Sequence, residues 1–467
     1  MYHKTRSIHF VGIGGIGMSG IAEVLMNLGH QVSGSDLQEN AQTRRLSSMG
    51  AKIFVGHRSD QIHGSHVLVI SSAVSDLNPE IVEAKRLSVP VIPRAEMLAE
   101  LMRLKTSVAV AGAHGKTSTC SIIGMMLTEA GLDPTLVIGG KINNLGVNAR
   151  LGQGELMVAE ADESDGSFLL LSPTVTVVTN IDREHMNYYS DMAHLEEAFL
   201  AFINRVPFYG ASILCTDDLR VRALLGKVKK RVITYGLNDS EITAQNVSPK
   251  GWGYSYDLMH NNQKLTTITV NLPGRHNVLN SLAAAAVGLE LGLSPSQVAS
   301  GIAGFKGVGR RFELKGTSNG VTVVDDYGHH PTEIRSTLAA LAECFPDRRR
   351  VVLFQPHRFS RTLDLFEEFT MAFTQADLVL LSDIYAASEE SIEGLTSGKL
   401  AEGILSSGQV MAQYLAPIPQ MAQAAITMIR PGDVVLTLGA GNIYQVGEEI
   451  LKLLKARDYE LAKSKSA

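Results

Sequence analysis

Short apolar strands alternate with amphipathic helices along the whole sequence, and glycine or an acidic residue stands at many of the junctions. This order is typical of α/β architecture with largely parallel sheets, because a parallel strand must return through a crossover helix. A chain of 467 residues is also too long to fold around one hydrophobic core. We therefore predict three α/β domains, covering 1–105, 106–308 and 309–467.

The strand signals fall into three blocks. The first block contains IHFVGIG, HQVSGSD, AKIFVG and HVLVISSAV. The second opens with SVAVAG and continues through LMVAEAD, VTVVTNID and ASILCTDD to an alanine-rich helix near 281–291. Within it, ITAQNV, GYSYDLM and LTTITVNLPG predict antiparallel strands at the side of the domain. The third block contains VTVVDDY, RVVLFQP, ADLVLLSDIY and DVVLTLGAG.

Composition excludes several classes of protein. A formal net charge of -5 and a pI near 6.3 argue against a nucleic-acid-binding surface. The three cysteines, Cys120, Cys215 and Cys344, lie far apart, which fits a reducing compartment and excludes a zinc ribbon. No segment has the roughly 20 apolar residues that cross a bilayer, and the short glycine-rich run near the N-terminus favours a buried strand over a signal peptide. We expect a cytoplasmic protein without membrane insertion, acting as a monomer or weak homodimer.

A phosphate-binding loop follows the strand that opens the second block. Glycines there let backbone N–H groups turn toward phosphate oxygens, Lys116 adds a positive charge, and the Thr117 hydroxyl suits Mg²⁺. Val110 occupies the place of the first glycine of the common motif, so this is a shorter GxxGKT variant; a chance glycine turn is the alternative. The residues assigned to ATP in this loop are Gly112, Ala113, His114, Gly115, Lys116, Thr117 and Ser118.

Two further residues are candidates for a magnesium site with Thr117. Glu160 ends the strand LMVAE, and His185 follows the strand VTVVTN. The carboxyl ends of parallel strands face the same crevice as a phosphate loop, which favours a metal role for Glu160. A helix cap or loop charge is the alternative for Glu160, and a loop or core histidine is the alternative for His185.

A second glycine loop lies near the N-terminus. The residues 12–17 match G-x-G-x-x-G between a strand and a helix, and Asp36 ends the next strand. This pattern predicts a bound diphosphate, either that of NAD with Asp36 on the ribose or that of another nucleotide such as a UDP-sugar. Close packing of helix on strand is the alternative role of the glycines.

Eight segments, in this order along the chain, resemble the Mur ligase family: VGIGGIGMSGIAEVL, AGAHGKTST, EADESDGSF, TNIDREHMNYY, GRHNVLN, GRRFE, DDYGHHPTEI and FQPHRFSRT. The resemblance implies an N-terminal Rossmann-like domain for a UDP-sugar, a central P-loop ATPase-like domain, and a C-terminal Rossmann-like domain that closes over the nucleotide. It also implies ATP-dependent ligation of L-alanine to the carboxylate of UDP-N-acetylmuramate through an acyl phosphate, with Mg²⁺, in peptidoglycan synthesis.

The resemblance assigns further residues by motif. Catalysis is assigned to Lys116, His185, His329 and Arg361. The UDP-substrate is assigned to Gly14, Gly15, Ile16, Gly17 and Asp36, with Ser71 and Ser72. The remaining ATP contacts are His276, Asn277, Asn280, Arg310, Arg311 and Asp326, and the amino acid is assigned to Tyr327, His329, Arg358 and Arg361. Several later Mur ligases use a carbamylated lysine after the histidine equivalent to His185, whereas this chain has no lysine between Lys141 and Lys227. That departure favours the alanine-adding member.

Three rival functions remain open from the sequence. An NAD-dependent oxidoreductase explains the first glycine loop but gives Lys116 and Thr117 no role. A regulatory or motor P-loop ATPase explains the central block but not DDYGHHP or FQPHRFSRT. A sister ligase that attaches a recovered peptide to the same UDP-sugar is the nearest alternative.

Overall fold

The computed structural model describes residues 5–71, 73–139, 149–387, 389–408 and 410–465. These residues form two compact units. The first contains Met1–Lys250, Tyr254–Asn271 and Val278–Lys306, and the second contains Gly251–Gly253, Leu272–Asn277 and Gly307–Ala467. The first unit holds two sheets and the second holds one. The α/β fold class with parallel-rich sheets is confirmed.

The first sheet is entirely parallel, in the order β3-β2-β1-β4-β5. Its strands are β1 (Ser7–Val11), β2 (Gln31–Asp36), β3 (Lys52–Val55), β4 (Val67–Ile70) and β5 (Val91–Pro93). Its helices are α1 (Ile16–Asn27), α2 (Ala41–Ser48), α3 (Pro79–Arg86) and α4 (Arg94–Met102). The chain turns from one side of the sheet to the other between β1 and β4, and ligands of such sheets bind at this switch point.

The second sheet has ten strands in the order β15-β14-β13-β12-β11-β10-β6-β9-β7-β8. The strands are β6 (Thr106–Ala111), β7 (Thr135–Val137), β8 (Ala149–Arg150), β9 (Leu156–Glu160), β10 (Val175–Val178), β11 (Ala211–Cys215), β12 (Val232–Gly236), β13 (Ile242–Lys250), β14 (Gly253–His260) and β15 (Gln263–Val270). The helices are α5 (Lys116–Glu129), α6 (Met192–Ile203), α7 (Leu219–Leu224), α8 (Arg275–Glu290) and α9 (Pro295–Ala303). The central strands β6 and β10 are apolar and buried, as parallel strands covered on both faces require.

The antiparallel strands predicted at the side of this domain continue the parallel sheet. The strands β14 and β15 pair antiparallel, but β13 pairs parallel with β12 through Tyr235 and Ile242. The alanine-rich helix begins at Arg275, earlier than the sequence predicts, because Pro273 and Gly274 end the preceding extended segment. Gly274 has a φ of 88°, which glycine adopts at little cost.

The third sheet, in the second unit, has the order β16-β17-β21-β18-β19-β20. The strands are β16 (Glu313–Ser318), β17 (Val321–Asp326), β18 (Arg350–Phe354), β19 (Leu378–Leu381), β20 (Met411–Tyr414) and β21 (Val434–Leu438). The helices are α10 (Pro331–Cys344), α11 (Phe359–Asp364), α12 (Phe366–Thr370), α13 (Ser397–Ser406), α14 (Ile418–Ala425) and α15 (Tyr444–Lys465). Among the described strands of this sheet, only β16 runs antiparallel to its neighbour.

The side chains of successive residues in the central strands pack into two separate hydrophobic cores, one on each face of this sheet. Val324 and Val352 belong to one core, whereas Val323 and Val351 belong to the other. This alternation follows from the two-residue period of a strand, and it explains why nearly every residue of these strands is apolar. In the described part of the chain, no helix combines the length and apolarity needed to cross a membrane.

Candidate active site

The phosphate loop lies between β6 and α5, and two of its glycines cannot be replaced without strain. Gly112 has a φ of 135° and a Cβ there would overlap Thr179 Oγ1. Gly115 has a φ of 83° and a Cβ there would lie 2.7 Å from Asn280 Oδ1. Positive φ and close neighbours both exclude a side chain. Asn280, one of the predicted ATP residues, thus packs directly against this loop. The helix α5 begins at Lys116, so the backbone N–H groups of its first turn are directed toward the loop.

Lys116 is held by carbonyl groups and by a buried acid. Its Nζ donates to Gly112 O at 2.5 Å, to Ala113 O at 3.3 Å, and to Glu163 Oε1 at 2.7 Å. Burial opposes the positive charge, but the carboxylates of Glu163 and Asp162 outweigh burial and raise the pKa of Lys116. Lys116 therefore stays positively charged beside the loop, as the binding of the outer phosphates of ATP requires.

Three side chains beside Lys116 fit a divalent cation. The ligand atoms of Glu163, Glu184 and His185 lie within 4.8 Å of one another. Glu163 Oε2 is buried and has no hydrogen-bond partner among the described residues. Burial raises the pKa of Glu163 to about 7 despite the nearby Lys116 charge. A buried carboxylate oxygen without a donor is costly unless a cation meets it. His185 adopts a φ of 60°, so its position is held against the usual backbone preference.

Glu160, also predicted at the metal site, faces the same region from the end of β9. Its Oε1 accepts the Gly139 N–H at 2.8 Å, and it lines a cavity of about 350 Å³ together with Lys116 and Asp162. Thr117 is buried in the first turn of α5. The structure therefore brings the predicted residues to one region, and a metal role for Thr117, Glu160 and His185 stays a prediction.

The first glycine loop borders a larger cavity of about 650 Å³. The Gly14 N–H donates to Asp36 Oδ2 at 2.8 Å, and Asn40 Nδ2 donates to Gly14 O at 3.2 Å. A Cβ at Gly14 would lie 2.5 Å from Asn40 Nδ2 and 2.8 Å from Asp36 Oδ2. Asp36 and Asn40 therefore brace the loop. Of the residues assigned to the UDP-substrate, four line this cavity: Gly14, Gly15, Asp36 and Ser71.

The larger and smaller cavities share part of their walls. Gly15 and Ser71 line both, whereas Gly17 and Arg94 line only the smaller one. A Cβ at Gly17 would lie 2.6 Å from Arg94 Nη1, so a larger residue there would displace the Arg94 guanidinium. Ile16 begins α1 and is 45% exposed, so it is not a core residue. Ser72 lies outside the described residues.

Arg94 and Asp162 connect the first sheet to the second across the smaller cavity. Arg94 Nη2 donates to Asp162 Oδ2 at 3.2 Å. Burial opposes ionisation of Asp162, but the charges of Lys116 and Arg94 outweigh it and lower the pKa of Asp162. Neither residue was assigned a role from the sequence. Arg94 carries no local motif, and Asp162, which follows Glu160 in EADESD, carries no pattern that distinguishes it from the neighbouring acids.

In the second unit, Arg310 and Arg311 take different roles. All three guanidinium nitrogens of Arg310 donate hydrogen bonds: Nε to Asp325, Nη1 to Gly441 O and Nη2 to Gly439 O. Arg311 lies over the Tyr327 ring at 5.0 Å, with Glu333 at 3.8 Å. Of the two predicted ATP contacts, Arg310 therefore braces the loop after β21, and Arg311 is the better candidate for a ligand.

Asp326 is also engaged by its own surroundings. Its carboxylate accepts the N–H groups of Phe312 and Gly328, each at 2.7 Å, and the Thr337 hydroxyl at 3.2 Å. Burial raises the pKa of Asp326 to about 6, against the Arg311 charge and these two N–H groups. The side chain organises the loop at the end of β17, and a direct contact with ATP stays a prediction.

Aromatic and imidazole rings gather at the carboxyl ends of β17, β18 and β19. The centroids of Tyr327 and His329 are 5.4 Å apart, as are those of His329 and His357, and His357 stacks on Tyr385 at 5.5 Å. Arg361 Nη1 approaches His357 Nδ1 at 3.2 Å. The predicted amino-acid residues Tyr327, His329 and Arg361 are thus brought together, and His357 and Tyr385 were missed. His357 lies inside the quoted FQPHRFSRT segment, whereas Tyr385 carries no signal in the sequence.

His330 caps α10. The His330 side chain accepts the Thr332 N–H, and Glu333 Oε2 accepts the N–H groups of His329 and His330. His329 Nδ1 lies 3.1 Å from Tyr327 O, and the carbonyl requires Nδ1 to be the donor. In a neutral ring, Nε2 is then the basic nitrogen of His329.

The remaining predicted residues of this unit are Arg358, which precedes α11, and His276 and Asn277, which lie in the first turn of α8. Arg358 precedes α11 with a φ of 70°, and its Nη1 is 3.8 Å from Glu389 Oε1. His276 is exposed, and Asn277 is buried with its amide donating to Pro273 O at 2.7 Å. These positions neither confirm nor exclude the roles that the motifs predict.

Models of a single protein family match each of the three blocks of the chain. Residues 7–106 match the catalytic-domain model of the Mur ligase family, 110–288 match the Mur ligase middle domain, and 310–441 match the Mur ligase glutamate ligase domain. A UDP-N-acetylmuramate–L-alanine ligase of Geobacter sp. (strain M21) is 54% identical over 98% of this chain and 99% of its own. The chain belongs to the Mur ligase family.

Other Mur ligases agree with this placement in sequence and fold. The UDP-N-acetylmuramate–L-alanine ligase of Syntrophobacter fumaroxidans is 53% identical, with 98% of both chains covered. The crystal structure of UDP-N-acetylmuramate–alanine ligase from Thermotoga maritima superposes with a TM-score of 0.81 at 28% identity, covering 97% of this Mur ligase and 100% of that chain. A murein peptide ligase from Psychrobacter arcticus has a TM-score of 0.71 at 24% identity, covering 96% and 98%, and shares the fold.

Proposed function

We propose that this chain joins L-alanine to the carboxylate of UDP-N-acetylmuramate at the expense of ATP, giving UDP-N-acetylmuramoyl-L-alanine, ADP and phosphate in peptidoglycan synthesis. The observation that carries the proposal is the shared wall of the two cavities. Gly15 and Ser71 connect the cavity at the first glycine loop to the one that contains Lys116. A nucleotide-linked carboxylate in the first cavity can thus reach the phosphates of ATP at the second. The relatives at 53–54% identity supply the choice of substrates.

The reaction has two chemical steps. The muramyl carboxylate attacks the γ-phosphorus of ATP, so that an acyl phosphate forms and ADP leaves. The neutral amine of alanine then attacks the acyl carbon, and the tetrahedral species expels phosphate. Negative charge accumulates in the first step, and Lys116 neutralises it through its retained positive charge.

Magnesium completes this charge balance. Thr117, Glu160 and His185 are the proposed ligands, and Glu163 and Glu184 lie in the same cluster as His185. When bound, Mg²⁺ supplies positive charge to the phosphate oxygens. The buried Glu163 Oε2, which no donor meets in the described part of the chain, supports a cation at this place.

The ring cluster of the second unit is the proposed amino-acid site. The guanidinium of Arg361 suits the α-carboxylate of alanine because its planar fork matches two carboxylate oxygens. We propose His329 as the acceptor of the amine proton, and its Nδ1 lies 3.1 Å from Tyr327 O, which leaves Nε2 as the basic nitrogen of the neutral ring. The reaction is proposed to occur in the cytoplasm, where ATP and the UDP-sugar are both available.

Product analysis tests the proposal and its nearest rival. The purified chain is incubated with ATP, Mg²⁺, UDP-N-acetylmuramate and either L-alanine or the recycled tripeptide, and the nucleotide products are identified by mass spectrometry. We expect UDP-N-acetylmuramoyl-L-alanine in the first mixture only. Product in the tripeptide mixture alone would transfer the assignment to the peptide-attaching ligase.

A further inference from the structure

A buried network of side chains lies behind the larger cavity, in the first unit. Glu80, at the start of α3, is 0% exposed. Its Oε1 is 3.2 Å from His9 Nε2, and its Oε2 accepts the Ser35 hydroxyl at 2.6 Å and lies 3.0 Å from His57 Nδ1. The Gln61 amide, in the orientation that satisfies its neighbours, donates to Glu80 Oε1. A carboxylate has about four lone-pair sites, and all four are used here.

This arrangement determines which nitrogen of His57 carries hydrogen. Nδ1 faces Glu80 Oε2 and lies 2.9 Å from Ser35 Oγ. The Ser35 hydroxyl hydrogen is already donated to Glu80, so Ser35 Oγ can only accept from His57. Both partners of Nδ1 are therefore acceptors, Nδ1 is the donor, and Nε2 of the neutral ring presents a lone pair.

His57 stands where the base of a bound nucleotide is expected. It follows β3 and lines the larger cavity with a side chain 16% exposed, and its Nε2 has no hydrogen-bond partner among the residues that the structure describes. In sheets of this topology the phosphates bind at the first loop and the ribose at the acid ending β2. Both of these places lie in the same cavity as His57, so we assign the base to the remaining wall of this cavity, beside His57. Leu37 and Leu77, 72% and 86% exposed, line the same cavity and offer apolar surface for a flat ring.

We propose that Glu80 is a positioning residue, which holds His57 with Nε2 as a hydrogen-bond acceptor and thereby favours uracil over cytosine in the larger cavity. Uracil carries an N–H donor at N3, whereas cytosine carries a lone pair there that opposes the lone pair of Nε2. This inference rests on the proposed function, because it takes the UDP moiety to be the ligand of this cavity. His9 supports Glu80 from the other side through Ser33, whose Oγ lies 2.8 Å from His9 Nδ1.

Calorimetric titration of the full chain with UDP and with CDP tests the inference without ligase turnover. We expect the wild type to prefer UDP by about tenfold or more, as one well-formed hydrogen bond allows. In Glu80→Gln the amide can donate to Nδ1, the tautomer of His57 is no longer fixed, and the UDP/CDP ratio should fall toward one. The same ratio in Glu80→Gln and wild type would overturn the proposal, because loss of packing alone weakens both ligands.

Three further variants complete the test. His57→Ala should lose the same selectivity, and adding Glu80→Gln to it should change the ratio no further; an additional fall would mean that Glu80 does not act through His57. His57→Ala also decides the matter if Glu80→Gln does not fold. The matched control is Glu83→Gln, on the same helix, whose carboxylate pairs with His63 and Arg86 at the surface; it should retain the wild-type ratio. Absence of any UDP binding to the wild type would instead count against the proposed function.

Discussion

At the scale of single residues, the site depends on charges held in buried surroundings. Lys116 keeps its charge because the acids around it outweigh burial, and Glu163 is the acid in direct contact. The sequence predicts Lys116 from its motif but not Glu163, because nothing in EADESD indicates which of its acids turns toward the loop. The pairing of a lysine with an acid 47 residues away is a property of the folded sheet.

Replacing Lys116 by alanine should reduce turnover at least about a hundredfold, because the charge that meets the outer phosphates is removed. Phosphate release at saturating substrates measures the effect. Lys229→Ala, which removes an exposed lysine of the same unit, should retain wild-type turnover. Near-normal activity of a folded Lys116→Ala protein would contradict the assigned role.

Glu163→Gln should lower the pKa of Lys116. The wild-type pKa lies above its ordinary value because nearby carboxylates outweigh burial. Removing the closest carboxylate leaves burial, which favours the neutral amine, so the proton is lost at lower pH. The pH dependence of Lys116 acylation, followed by peptide mass spectrometry, should shift downward relative to the wild type. An unchanged or upward shift would show that Glu163 does not stabilise the charge.

At the scale of elements, each site stands where a strand ends and a helix begins. The strand–loop–helix units at β1–α1 and β6–α5 were predictable, because apolar runs, glycines and a lysine follow one another locally. The side chains that hold these loops in place could not be predicted, because Asn40 and Arg94 come from other elements of the fold. The same limit applies to β7, β8, β16 and β20, which are short or partly exposed and carry weak patterns.

Gly14→Ala tests the bracing of the first glycine loop. The added Cβ would lie 2.5 Å from Asn40 Nδ2, so the loop, Asn40 or Asp36 must move. We expect the free energy of unfolding to fall by about 1–3 kcal/mol and UDP affinity to fall with it. Chemical denaturation and UDP titration measure the two effects. Gly226→Ala is the control, since its Cβ would meet nothing within 4 Å; equal behaviour of both variants would contradict the account.

At the scale of the whole molecule, the chain divides the chemistry between two compact units. The glycine loop and phosphate loop belong to the first, and the ring cluster around His329 belongs to the second. The three blocks of strands could be predicted from the sequence, because parallel α/β patterns repeat clearly. The packing of the first two sheets into one unit could not be predicted from the sequence, because it depends on contacts between distant residues such as Gly20 and Ala149.

UDP alone should therefore protect only the first unit from hydrogen exchange. At about 100 times its dissociation constant, a ligand adds about 2.7 kcal/mol to the stability of the unit that binds it. Exchange followed by mass spectrometry should show slower exchange around the first glycine loop and the segment 71–78, with the third sheet unchanged. Protection confined to the third sheet would mean that the UDP site has been placed in the wrong unit.

The central claim is that one chain couples ATP, a UDP-linked carboxylate and alanine in a single reaction. The most direct test measures phosphate release from ATP and Mg²⁺ while UDP-N-acetylmuramate and L-alanine are omitted one at a time. We predict release only when both are present, because the acyl phosphate needs the carboxylate to form and the amine to turn over. Sustained release with neither substrate would contradict the account and indicate a general ATPase.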